Sequence, residues 1–170
     1  VATGATEYKP TEYLYGIDPR VLTQHELEEQ LAKGQLDAKA VVMIQCVGSR
    51  NETRPNCSRI CCSQAIKNAL KIKELSPETE VYVLYKDIRT YGFKEEYYRE
   101  AAGKGVLFLR YDDEHEPKVT LENGKLSVLA WEPILKIWVP IETNLLALSV
   151  AVVPNHDNKN LAEMLKIPLS

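Results

Sequence analysis

The chain has 170 residues and a net charge of −3, with 45% hydrophobic and 26% charged residues, enough for one good core of ordinary globular make-up. The acidic balance lacks the clustered basic surplus that phosphate backbones require, which excludes a nucleic-acid partner. No apolar run approaches the roughly 20 residues of a membrane span; the longest, 145–154, suits a buried strand and excludes direct membrane insertion.

Val1 falls inside a motif and no initiator Met precedes it, so the expectation is a piece of a longer protein without a leader peptide. A short apolar stretch, 1–5, passes through Gly4 into an irregular segment to about Pro19. Thr23 and Glu26 form a capping box, which predicts a helix through Leu27 and Leu31 to a stop at Gly34. Residues 41–46 form an apolar β run of the kind buried on both faces of a parallel sheet. A polar loop, 48–56, follows, and then a helix over 57–75 with Asn56 or Ser58 as its cap. Ser76-Pro77 ends it, and 80–85 is the next strand. A charged helix over 93–102 closes at Gly103 and Gly105, and 106–110 is a third strand. This alternation implies a parallel sheet with right-handed crossovers.

The pattern then changes. Segments 118–121, 126–130 and 134–139 predict a three-strand meander, with Asn123-Gly124 as a two-residue hairpin turn. Residues 145–152 return as a buried strand and 158–165 as a terminal helix. The fold class is α/β: a Rossmann-like parallel sheet with a three-strand meander crossover. That is the pattern of the nicotinamide-binding half of two-dinucleotide flavoprotein reductases.

All four cysteines lie within 17 residues, Cys46 to Cys62. A secreted disulfide scaffold would spread them through the chain, so the clustering points to metal or redox chemistry. Cys46 ends the first strand, and Cys57 and Cys61 are four apart on the first turns of the predicted helix, sharing one face. Ligands of open α/β sheets bind outside the carboxyl ends of strands, where helix N-termini converge. All four sulfurs can therefore meet in the crevice that normally holds a dinucleotide, where the helix end favours thiolates. The turn there, Gln45 to Arg50, has a single glycine, Gly48, instead of G-x-G-x-x-G, which argues against NAD. Buried structural thiols, a zinc site of irregular spacing and a dithiol–disulfide pair without C-x-x-C are the alternatives.

Arg50, Arg54 and Arg59 surround the loop, either as counter-charges or as solvated side chains. Asp87, Arg89 and Tyr91 follow the second strand, as a structural turn or a contact with a packed partner or flavin. His25, His115 and His156 are scattered and look like neither ligands nor bases. No Ser–His–Asp grouping or P-loop occurs, which argues against a hydrolase or kinase.

The run Met43-Ile-Gln-Cys-Val-Gly-Ser-Arg50, the block Cys57-Ser-Arg-Ile-Cys-Cys62 and the stretch Val83-Leu-Tyr-Lys-Asp-Ile-Arg-Thr-Tyr-Gly92 resemble the A subunit of heterodisulfide reductase. The A subunit of the quinone-interacting oxidoreductases is a close second. The resemblance covers nearly all of the chain as an internal fragment. It implies a thioredoxin-reductase-like flavoprotein passing electrons between FAD and iron–sulfur clusters inside a cytoplasmic anaerobic complex. It implies Cys46, Cys57, Cys61 and Cys62 as ligands of a 4Fe–4S cluster. It also implies Val1 to Gly4 as the closing strand of the FAD-binding half, with Thr3 and Gly4 near the flavin nucleotide. The implied partners are other redox subunits, B/C-like or hydrogenase-like. The implied division is 1–38 for the end of the FAD-binding half and a connecting helix, 39–144 for the cysteine domain with its meander, and 145–170 for the return. The opening FAD fingerprint and the ferredoxin-type cysteine modules of that family are not in this chain. FAD is thus expected in the full-length protein, and the fragment alone is not expected to be catalytic.

Overall fold

Strand β3 (Ala40–Val47) is buried along its whole length, and its run of Val, Met and Ile without polar alternation is what cover on both faces demands. The computed structural model describes residues 3–168. β3 pairs in parallel with β4 (Glu80–Tyr85) on one side and β9 (Leu145–Val150) on the other. β5 (Val106–Arg110) and β2 (Val21–Thr23) extend the two flanks, giving a five-stranded all-parallel sheet of order β2-β9-β3-β4-β5. Helices α2 (Cys61–Leu75) and α3 (Lys94–Gly103) connect β3 to β4 and β4 to β5. An antiparallel meander of β6 (Lys118–Glu122), β7 (Lys125–Glu132) and β8 (Ile137–Thr143) connects β5 to β9. A two-stranded ribbon joins β1 (Ala5–Glu7) to β10 (Val152–Pro154), and α4 (Asn158–Leu165) follows it.

Strand alternation divides the core in two. On one face Val41, Met43, Val81, Val83 and Ala147 pack under Ala65, Ile66, Ala69 and Ile72 of α2 and under Leu27 and Leu31 of α1 (Gln24–Ala32). On the other, Val42, Ile44, Leu84, Leu146, Leu148 and Val150 meet Leu126, Val128 and Ile141 of the meander. The three layers are helices, parallel sheet and meander, as the alternation of elements implies.

The capping box forms: the Thr23 hydroxyl accepts from the Glu26 N–H at 3.2 Å, and the Glu26 carboxylate accepts from the Thr23 N–H at 2.7 Å. Asn123 and Gly124 both take positive φ, 51° and 78°, as a tight hairpin turn of this kind requires. Three expected boundaries move. Helix α2 starts at Cys61 and not at Cys57, because Arg59 sits at φ 66° and breaks the helical path. The third meander strand runs Ile137–Thr143 and not 134–139. Ile134 and Leu135, apolar yet exposed, belong to a turn in which Glu132 accepts from the Leu135 N–H. The return strand divides at Ala151, whose N–H and carbonyl bond Val47 and Tyr8, and the chain then joins the ribbon. Val1 and Ala2 of the expected closing strand lie outside the described residues.

Thr23→Ala removes the box and is expected to cost about 1 kcal/mol in urea unfolding, with Thr23→Ser recovering most of it. Asp18 is buried and accepts from the Arg20 backbone N–H and from both arms of its guanidinium, at 2.7–2.9 Å. These bonds hold its carboxyl below the ordinary value, against burial. The stability this adds is present above the ordinary aspartate range and lost as pH falls through the lower folded value. Asp18→Asn is expected to lower stability at neutral pH and to flatten the acid limb below about pH 4, read from urea midpoints across that range.

Candidate cysteine cluster site

The site begins with a misfit between two strands. Ile44 pairs with Leu148 and Val47 with Val150, so Gln45 and Cys46 together face Ser149. This is a β-bulge, the local device that re-aims a side chain without losing the register beyond it. Ile44 and Val47 both stay in the meander-side core, while Cys46 absorbs the extra residue at φ 63°. A non-glycine residue there costs of order 1–3 kcal/mol and persists only where its surroundings over-determine it. The bulge lies where β9 leaves β3 on one side and β4 on the other, the switch point at which ligands of open α/β sheets bind.

Above the bulge stands the N-terminus of α2. Its N-cap, Ile60, offers no side-chain acceptor, so the first-turn N–H groups are left for an anion. Cys61 and Cys62 open this turn. Cys57 precedes the helix, in the loop, so the expected sharing of a helical face by Cys57 and Cys61 does not occur. The local reason is competition for backbone groups: Cys57 Sγ accepts from the Arg59 N–H at 3.3 Å, and Ser58 Oγ accepts from the Val152 N–H at 3.0 Å.

The four thiols share one neighbourhood. Cys46, Cys61 and Cys62 are buried and Cys57 half-buried, all of them unbridged. Cys61 feels the charges of the other three, and Cys46 those of Cys62 and Cys57. Donation to Cys62, with burial, pushes the Cys61 thiol up. Cys62 is pulled down by accepting from Cys61 and, against its burial, by the Arg89 backbone N–H and the Arg89 and Arg50 charges. Burial pushes Cys46 up, with Arg50 opposing. The thiols are not closed into a cage: among the described residues no three His, Cys, Asp or Glu side chains converge to grip a metal ion.

The donor set around them suits an acceptor-rich anion. Gln45 Nε2 and Oε1, Ser149 Oγ and Arg50 Nη1 are buried without a hydrogen-bond partner among the described residues. Gln45 adjoins Cys46, Ser149 faces it across the bulge, and Arg50 lies beside it. Unmet buried donors are costly and call for a partner; thiolates and inorganic sulfide are such acceptors. A nucleotide suits the turn less well. Pyrophosphate needs bare backbone at the glycines, but the ring of Tyr8 lies against Gly48, where a Cβ would collide with it, and Arg54 stacks over that ring at 4.4 Å.

Thr3 and Gly4 are exposed, and the Thr3 carbonyl accepts from the Asn155 side chain. Thr3 lines a small cavity with Leu161 and Leu165 of α4. A separate groove of about 790 Å³, with Tyr8, Arg54, Cys57, Ser58 and His156 in its walls, opens beside the cysteine loop. Sequence reasoning named Arg50 and Asp87 without joining them; Arg50 Nη2 meets Asp87 Oδ2 at 2.7 Å, and Arg89 and Arg110 each approach Asp87 at 3.7 Å. Gln45 and Ser149 were each findable as the one polar residue in an apolar strand.

No protein-family model matches the chain. It is 40% identical to the iron–sulfur A subunit of the CoB–CoM heterodisulfide reductase of Methanocaldococcus jannaschii, covering 99% of this chain and 28% of that protein. It is 36% identical to the A subunit of the H2:CoB–CoM heterodisulfide,ferredoxin reductase of Methanothermobacter thermautotrophicus, over 100% and 28% of the two chains. With the A subunit of the ferredoxin:CoB–CoM heterodisulfide reductase of Methanosarcina acetivorans it shares 34% identity, over 98% and 26%. The chain thus spans little more than a quarter of the curated relatives it matches. Among solved structures, thioredoxin reductase from T. acidophilum superposes with a TM-score of 0.53 at 14% identity, over 89% of this chain and 43% of that one. L-lysine 6-monooxygenase from Pseudomonas syringae gives 0.50 at 10% identity, over 84% and 43%. At such identities these two likenesses speak for the fold.

Gly48→Ala is expected to cost about 2 kcal/mol in urea unfolding, since it combines φ 69° with a collision against Tyr8. In a Tyr8→Ala background the cost should fall, leaving the backbone part alone.

Proposed function

The chain belongs to the family of heterodisulfide reductase A subunits, and we propose that it is an electron-transfer segment of a flavin- and iron–sulfur-dependent oxidoreductase. In this reading Cys46, Cys57, Cys61 and Cys62 hold a 4Fe–4S cluster at the carboxyl edge of the parallel sheet. The observation that supports it is the strained bulge at Cys46, at the carboxyl end of β3, together with the uncapped start of α2 that Cys61 and Cys62 open. When bound, such a cluster supplies one-electron chemistry at a potential tuned by charge, burial and hydrogen bonds.

The residues divide the remaining work. The free N–H groups of α2 offset the negative charge of a thiolate assembly. Gln45 and Ser149 offer hydrogen bonds on the Cys46 side. The sheet and α2 bury three of the four thiols and keep water from them, while Cys57 stays nearer the surface. Thr3 and Gly4, at the far end of the ribbon from this loop, would serve the flavin nucleotide in the full-length protein. Residues 1–38 and 145–170 would carry the chain from and back to that FAD-binding half, with 39–144 as the cysteine domain. By the names of the relatives, the partners would be other subunits of a heterodisulfide reductase or related redox complex, and the proposed compartment is the cytoplasm. No helix among the described residues is long and apolar enough to cross a membrane.

Anaerobic incubation with iron and sulfide, followed by iron counting and low-temperature EPR of the reduced protein, tests the proposal. The expected result is about four irons per chain with a reducible cluster signal, and a lower iron content or altered spectrum in Cys61→Ser. Zinc alone, or no iron under these conditions, would overturn it in favour of a docking domain with structural cysteines.

A further inference from the structure

Helix α3 is short of cover. Of its ten residues only Ala101 is fully buried. Its other anchor to the sheet is Tyr98, edge-on to Phe108 of β5 with ring centroids 4.6 Å apart. A helix this short draws its stability mainly from packing an amphipathic face, yet Tyr97 is 56% exposed. Between α3 and α2 runs a groove of about 680 Å³, with Ile66 and Leu70 of α2 and Tyr97 of α3 as its apolar walls. Its lining extends from Ser63 to Glu74 along one helix and from Lys94 to Lys104 along the other. At about 1.5 Å per residue that is roughly 16 Å, the length of about three helical turns. Between the lining residues Thr90 and Lys94, Tyr91 and Phe93 are 66% and 90% exposed. Large aromatic side chains bared beside a groove mark a surface for another protein.

Charge selects the occupant. Lys67, Lys71, Lys94 and Lys104 line the groove against Glu74 and Glu100, four lysines to two glutamates in a chain whose net charge is −3. Glu74 and Glu100 pair with Lys71 and Lys104 of their own helices at 2.8 Å, and Lys67 reaches Glu28 of α1 at 2.6 Å. Each of these side chains is at least 38% exposed. Pairs so open to water stabilise little, so they yield to better-placed carboxylates. We propose that the α2–α3 groove docks an acidic amphipathic helix of a partner protein. Its apolar face lies on Leu70 and Tyr97, and its carboxylates meet Lys67, Lys71, Lys94 and Lys104. A helix enters such a groove through apolar anchors at i, i+3 or i+4 and i+7, and three turns supply them. Ser63, at one end of the groove, directly follows Cys61 and Cys62, so a helix seated there reaches the carboxyl edge of the sheet.

The test is fluorescence anisotropy of the purified chain with labelled helical peptides of about twelve residues. One carries leucines at i, i+4 and i+7 flanked by glutamates, and its twin has lysines in place of the glutamates. No metal takes part, so the outcome is separate from the iron uptake that tests the cluster reading. The acidic peptide is expected to bind saturably and to weaken as salt is raised. It should bind the double variant Lys67→Glu, Lys94→Glu about tenfold more weakly or worse, and Tyr97→Ala should lose binding too. Lys67, Lys94 and Tyr97 are exposed, so these variants keep the fold, which circular dichroism checks. Lys125→Glu, on the meander, should bind as wild type does. Absence of saturable binding, equal binding of the two peptides, or wild-type affinity in the groove variants would overturn the inference. Self-association of the chain that Lys94→Glu abolishes, read by sedimentation, would give the groove to a second copy and overturn it likewise.

Discussion

Strand β3 is covered on both faces, by helices on one side and by the meander on the other, and the remaining features depend on that double burial. With apolar side chains committed on each face, a one-residue slip would exchange the two cores. Register is therefore held on both sides of the bulge, at Ile44 and again at Val47. The extra residue between them has nowhere to be accommodated except in a distorted backbone. Cys46 takes up that distortion, and the rigidity of the surrounding sheet is what keeps it there. A looser sheet would relax the strain and lose the position of the thiol.

The two helices flanking this region make opposite use of their N-termini. Helix α1 closes its own end with Thr23 and Glu26, and Glu26 also holds the Tyr15 hydroxyl at 2.9 Å. Helix α2 leaves its end open, and the side chains that could have closed it turn elsewhere: Ser58 toward β10, Cys57 toward the Arg59 N–H. An open helix end leaves its first N–H groups to water or to negative charge.

How legible this was depends on the range of the forces involved. Strands β4 and β5 begin and end where their residues indicate, because Ser76-Pro77, Gly103 and Gly105 are strong local punctuation, and helix α4 also keeps its expected span. The clustering of the cysteines was equally plain. The start of α2 was not, since the contact that draws Ser58 away comes from Val152, 94 residues distant. Ile134 and Leu135 misled for the converse reason: their apolarity suggests a strand, yet they lie in an exposed turn. Pairings such as Arg50 with Asp87, and the bulge itself, arise only when separate strands are laid side by side, and no single stretch of sequence contains them.

The ring of Tyr8 has a mechanical consequence. Its N–H is tied to Ala151, just before β10, its ring is wedged on Gly48, and Arg54 covers that ring from the loop that carries Cys57. Ribbon and loop are thereby keyed together through this aromatic side chain, in addition to the bond from the Val152 N–H to Ser58. A pull or twist on the ribbon therefore reaches the cysteine loop as well as the sheet, to which Ala151 ties it through Val47.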